Sequence, residues 1–183
     1  PYTTLFRSYR ITPMAEVECD AVNFEELAKQ ALAAEDANKQ QKLLEQACDL
    51  YNGDFLPYLS GYEWVVTTQV RLKRLFDRCI KQLLEIYSLQ NDFDKMYEVS
   101  HKANTIYPYD GWQSYEMKAL IEQGKTKAAL KLYEDTETLM FEELGISVSS
   151  DITEQLDRLG AQIKNNTDMI SEVKKNLDTS KED

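Results

Sequence analysis

The chain has 183 residues, of which 43% are hydrophobic, so one domain with a genuine core is expected. No apolar run is long enough for a membrane span or a secretory leader, and three cysteines without metal-ligand spacing predict small core residues in a reducing cytoplasm. A formal net charge of −11 sets the domain against general nucleic-acid binding, because it repels the phosphate backbone.

In chain order, residues 1–8 read PYTTLFRS, the in-frame translation of a common sequencing-adapter tail. They are expected to be foreign to the fold and to share no core with it, and the natural protein is expected to extend upstream. Residues 9–19 alternate apolar and polar around Thr12-Pro13, which predicts a short β-hairpin. A lone hairpin is marginal in water, so it reads as the remnant of a larger sheet.

After Asp20 the pattern is helical. The first predicted helix, with Asn23 as its cap, carries Phe24, Leu27, Ala28, Ala31 and Leu32 on one face. The second carries Leu43, Leu44, Ala47, Cys48 and Tyr51 and ends at Asn52-Gly53. Beyond a loop containing Pro57, a long helix is predicted over 63–89, with Leu72, Leu75, Phe76, Cys79, Leu83 and Ile86 three and four apart. Trp64 opens that helix and is expected to be buried between hairpins. Asn91-Asp92 breaks the chain, and Tyr107-Pro108 stops the next helix. Helices over 111–123 and 126–144 follow, closed by Gly124 and Gly145, and Ser149 or Ser150 caps a shorter one through Leu156 and Leu159.

Short turns between helices predict antiparallel helical hairpins. Leu83, Tyr87, Met96, Ala103 and Pro108 follow the tetratricopeptide order of large residue, Tyr, small or apolar residue, Ala, Pro. Thirty-three residues on, Leu120 and Ala129 take the places of Tyr87 and Met96, with Gly124 and Tyr133 at the hinge and packing positions. Each hairpin leaves an apolar face that only a neighbour covers, so the fold class is all-α, a tetratricopeptide-like stack. Trp64, Tyr87, Pro108, Trp112 and Tyr133 are its expected structural anchors.

Catalytic signals are missing. His101 is the only histidine, so no histidine triad or multi-histidine metal site can be built, and a structural or solvated role is expected. The six glycines are scattered, and adjacent carboxylates such as Glu142-Glu143 diverge by about 100° on a helix. No catalytic residue, cofactor or metal is expected. Arg71, Arg74, Arg78 and Lys81, spaced three, four and three, form one basic ridge, which reads as a solvated face or as a contact for an acidic partner or for DNA. The aromatics Tyr58, Tyr62, Trp64, Tyr107, Tyr109, Trp112 and Tyr115 fall at loops, where they either pack hairpins together or line a peptide groove.

One family carries a set of these features together. The Asp20…Phe24-Glu25 opening, LYNGDFLP at 50–57, Trp64, Tyr107-Pro108, MKALIEQGKTKAALKLYE at 117–134 and EELG at 142–145 occur in an order and at distances that resemble the bacterial transcriptional activator domain of antibiotic-regulatory-protein-type regulators. The resemblance spans about three-quarters of the chain. It departs from the pattern just after the Tyr-Pro turn, where an acidic residue is usual and this chain has Asp110 and then Gly111-Trp112, and at Val148, where a proline is common. It implies a tetratricopeptide-type domain over 20–160 that follows a DNA-binding winged helix, with 9–19 as that domain's last strands. The implied role is regulation through protein contacts, with transcription machinery or with a second copy, and DNA is reached only through the missing N-terminal domain. A free-standing tetratricopeptide scaffold that captures a peptide is the alternative, separated from the first by whether a winged helix precedes Tyr9.

Residues 161–183 read as a linker or an amphipathic helix. Leu156, Leu159, Ile163, Asn166, Ile170, Val173 and Leu177 alternate by three and four, a heptad seam for a second chain or for folding back. Gly160 and Asn165-Asn166-Thr167 argue instead for fraying.

Overall fold

The computed structural model describes residues 18–179, with side chains through 168. The 1–8 segment and nearly all of the expected hairpin lie outside the described residues. Within them the chain is all-helical and contains no strand. Seven α-helices follow one another: α1 Asp20–Ala33, α2 Ala37–Leu50, α3 Glu63–Gln90, α4 Phe93–Ile106, α5 Gln113–Glu122, α6 Thr126–Leu139 and α7 Ser150–Thr179.

Local chemistry sets the boundaries. α1 begins at Asp20, three residues before the expected Asn23 cap: an acidic residue in the first turn complements the helix dipole. Asp36 caps α2 by accepting from Lys39 N at 2.7 Å. Asn91 closes α3 in the left-handed region (φ 56°), and Asp92 then caps α4 by accepting from Lys95 N at 3.2 Å. After Leu139 the helix widens into a π turn, Met140–Leu144, which Gly145 ends at φ 67°. The last helix is no short one. α7 runs unbroken through Gly160 and Asn165-Asn166-Thr167, so these weak helix formers lower its propensity without breaking it.

Each helix packs on the next, with α1 also against α3 and α7 against α5 and α6. The main core runs from Phe24, Ala28 and Ala31 through Leu44, Ala47 and Cys48 to Phe76, Cys79, Ile80, Leu83, Leu84 and Tyr87. It ends on Met96, Ala103, Trp112 and Ala119. A second cluster joins Leu120, Ile121 and Ala129 to Leu159 of α7. Cys48 and Cys79 are buried thiols without disulfides, and burial pushes the Cys79 thiol up to about 11.

The expected anchors divide. Tyr87 and Trp112 are 2% and 3% exposed, while Pro108 and Tyr133 are half-buried. Trp64 is corrected: it leaves 57% of its surface exposed and touches Phe55 edge-on at a ring distance of 6.3 Å. Val65 (0% exposed) is the residue that opens the buried stripe of α3, which Leu72, Phe76 and Cys79 continue at helical spacing. One position along a helix is a rotation of about 100°, enough to carry Trp64 off that stripe.

Candidate protein-interaction site

Between α2 and α3 the chain must turn while Tyr51 stays in the core. The Tyr51 ring stacks on Phe76 (centroids 4.1 Å apart, 15° between planes), and its hydroxyl meets that of Tyr107 at 2.7 Å. Tyr107 in turn donates to Asp54 Oδ1 at 2.6 Å. Gly53 takes φ 135°, and Leu56 is held in the left-handed region (φ 45°, ψ 59°), where a Cβ is unfavourable. Pro57, with φ already suited to it, then opens a 3-10 turn, Pro57–Leu59. Gln69 Nε2 of α3 donates to Phe55 O at 2.7 Å and so ties the loop down.

A loop fixed in this way faces outward. Leu56, Tyr58, Leu59, Tyr62 and Trp64 are all exposed, Tyr58 at 98%. Val66 and Val70, also exposed, continue the apolar surface onto α3. With Arg71, Arg74 and Arg78 they line the α3 side of a groove of about 750 Å³, whose α1 side carries Glu25 and Lys29.

Three of the four ridge residues therefore line one groove. Lys81 lies outside it, beside Trp112 and Ile152. All four are exposed. Arg71 is paired with Glu25 of α1, which also holds Lys29 at 2.7 Å. Arg71 first, then Lys29, holds the Glu25 carboxyl below its ordinary value. Among the described residues no carboxylate pairs with Arg74, Arg78 or Lys81.

The remaining polar clusters join helices to one another. Glu45 of α2 accepts from Tyr87 at 2.7 Å and Lys95 at 3.4 Å; burial works against its charge, but those bonds, with one from Gln41, prevail and lower its pKa. Lys73 lies 4.6 Å over the Tyr107 ring and bonds Asp110 and Asp77. Lys102 donates to the last carbonyls of α2, those of Cys48 and Asp49, at 2.8 and 3.1 Å. His101 stacks on Tyr97 and bonds the buried Glu116 at 2.8 Å, while Asn104 donates to the other oxygen of that carboxylate at 3.0 Å. Sequence spacing gives no sign of the His101–Glu116 pair, which joins two helices across fifteen residues.

The loop aromatics split as well. Trp112 is in the core and Tyr107 and Tyr115 pack against it, whereas Tyr58, Tyr62, Trp64 and Tyr109 remain exposed. Among the described residues no cluster of three or more His, Cys, Asp or Glu could hold a metal, and no helix is long and apolar enough to cross a membrane.

The described residues thus form an all-helical domain whose polar clusters join helix to helix, with an apolar loop and a basic groove turned outward. The family model for the bacterial transcriptional activator domain matches residues 19–163, and the chain belongs to that family. It is a transcription-activator-type regulatory domain, from a family of regulators and not of enzymes. No curated protein sequence matches it.

Proposed function

We propose that this domain regulates a DNA-binding transcription factor by docking a protein on the face made by the 56–64 loop and the first turns of α3. The observation that carries the reading is the distribution of exposed apolar side chains. Of fifteen large ones among the described residues, seven fall in the stretch 56–70, beside two arginines with no carboxylate partner. Exposed apolar patches of this kind mark binding surfaces, and a strained non-glycine residue such as Leu56 is typical of functional loops. Arg74 and Arg78 beside Val66 and Val70 suit a partner segment that brings apolar anchors and carboxylates.

In this reading the helical hairpins form a tetratricopeptide-like scaffold, a winged helix upstream reads DNA, and this domain contacts the transcription machinery. The test is a reporter assay in the full-length regulator with Arg74→Glu and Arg78→Glu combined. Activation is expected to fall while the melting temperature of the domain stays the same, since exposed charges contribute little to stability. Undiminished activation would return the ridge to a solvated face. A full-length gene without a winged helix would favour a free-standing scaffold.

A further inference from the structure

The π turn that ends α6 carries a second apolar surface. Outside the 56–70 stretch eight large apolar side chains are exposed, and three of them, Phe141, Leu144 and Ile146, lie together here. Met140 stays buried at 6% exposure, while every residue from Phe141 to Ser147 is exposed, Phe141 at 71%. The turn is held in shape by its backbone: Gly145 N bonds Phe141 O at 3.0 Å, and Ile146 N bonds Met140 O at 3.3 Å. Gly145 sits at φ 67°, a conformation that glycine adopts without strain. Single π turns of this kind recur at functional sites.

Phe141 and Ile146 line a groove of about 380 Å³ together with Glu137 and Glu142. Charge identifies its occupant. From Leu132 to Asp157 the chain has eight carboxylates and no lysine, arginine or histidine, so −8 of the net −11 lies in this stretch. The rest of the chain is near balance, with 21 basic against 24 acidic residues. Glu134, Asp135, Glu137, Glu142 and Glu143 are all exposed, and among the described residues none of them is in an ion pair. Glu137 meets the Tyr133 hydroxyl at 3.4 Å. Acidic groups around an apolar centre attract cations and repel anionic surfaces, so two such faces do not dock on each other.

We propose that the 137–146 face is a second docking site, which takes a basic segment of another protein: an apolar anchor flanked by lysines or arginines. The anchor enters the groove beside Phe141 and Ile146, and burial of those side chains supplies affinity. The flanking cations lie against Glu137, Glu142 and Glu143, which set the sign of the partner and speed its approach. This is the opposite chemistry to the face on α3, whose arginines suit carboxylates. The two surfaces share no residue, so neither inference depends on the other.

Calorimetric titration of the full chain with a synthetic amphipathic peptide of leucine and lysine tests it. Binding is expected, and it weakens as salt rises. Phe141→Ser and Ile146→Ser are each expected to lower affinity about tenfold. Both positions are more than half exposed, so the melting temperature is expected to hold, and whichever variant keeps it decides. Glu137→Gln combined with Glu142→Gln is expected to weaken binding by a similar factor. Glu26→Gln combined with Glu35→Gln removes the same charge elsewhere and is expected to leave affinity unchanged. A peptide with serine in place of leucine is expected not to bind. Absence of binding, equal losses from the two glutamate pairs, or equal affinity for the serine peptide overturns the site. Sedimentation that shows self-association abolished by Phe141→Ser would make a second copy the occupant and overturn the basic partner.

Discussion

Glu116 is a carboxylate with only 4% of its side chain exposed, and its charge is met by His101 and Asn104. His101 itself is half in solvent, so a burial argument alone would make it dispensable. Removing it leaves a buried acceptor with one partner fewer, which costs about 1–3 kcal/mol. His101→Ala is therefore expected to lower the unfolding free energy by that amount, and by less in a Glu116→Gln background, as measured in a denaturant double-mutant cycle. Equal losses in both backgrounds would show that the pair is not coupled. Tyr107 and Tyr87 give a second prediction, in pH. Burial, then donation to Asp54 and Glu45 respectively, raises both phenols above their ordinary value. The unfolded chain therefore releases these protons first. Stability is full below about pH 10 and falls as pH rises beyond it. Tyr107→Phe is expected to cost about 1 kcal/mol at neutral pH and to flatten part of the alkaline loss in melts recorded across that range.

Within α3, neighbouring aromatic and aliphatic positions have different fates. Phe76 is fully buried, and Phe76→Ala is expected to cost about 3–5 kcal/mol. Trp64→Ala, at a position more than half exposed, is expected to change stability by no more than about 1 kcal/mol and to act on partner binding instead. Chemical denaturation of the two variants decides this, and a large loss for Trp64→Ala would return that side chain to the core. Gly160 makes the corresponding case in α7. It lies inside the helix, and a Cβ there would meet nothing within 4 Å. Gly160→Ala is expected to stabilise the helix by about 1 kcal/mol, seen as added helicity by circular dichroism.

Across the whole molecule, the −11 charge and the small basic groove act on different ranges. At physiological ionic strength charges are screened beyond about 8 Å, so the arginines act on a docked partner and not on a distant polyanion. The domain alone is expected to give no shift of duplex DNA in a mobility assay. Partner binding is expected to weaken as salt rises, and a shift of DNA that Arg74→Glu removes would move the site from protein to nucleic acid.

Much of this protein is determined by local sequence. Helix positions follow from three-and-four spacing, and stops follow from Asn91, Pro108, Gly124 and Gly145, because these signals act within one or two turns. The family motifs were readable for the same reason. What the local pattern leaves open is direction and partnership. Whether Trp64 or Val65 enters the core depends on the rotation of α3 against its neighbours, a difference of one residue that amphipathic counting does not resolve. That Arg71 is paired with Glu25 while Arg74 and Arg78 are not depends on where α1 lies across α3. Glu116 meets His101 only once α4 and α5 are packed, and Tyr51 meets Tyr107 only once the ends of α2 and α4 come together, since charge and hydroxyl satisfaction are properties of an enclosed space. The tertiary structure likewise decided where α7 is anchored: Leu159 packs against Leu120 and Ile121 of α5 and Ala129 of α6, a contact that spacing within α7 alone does not specify.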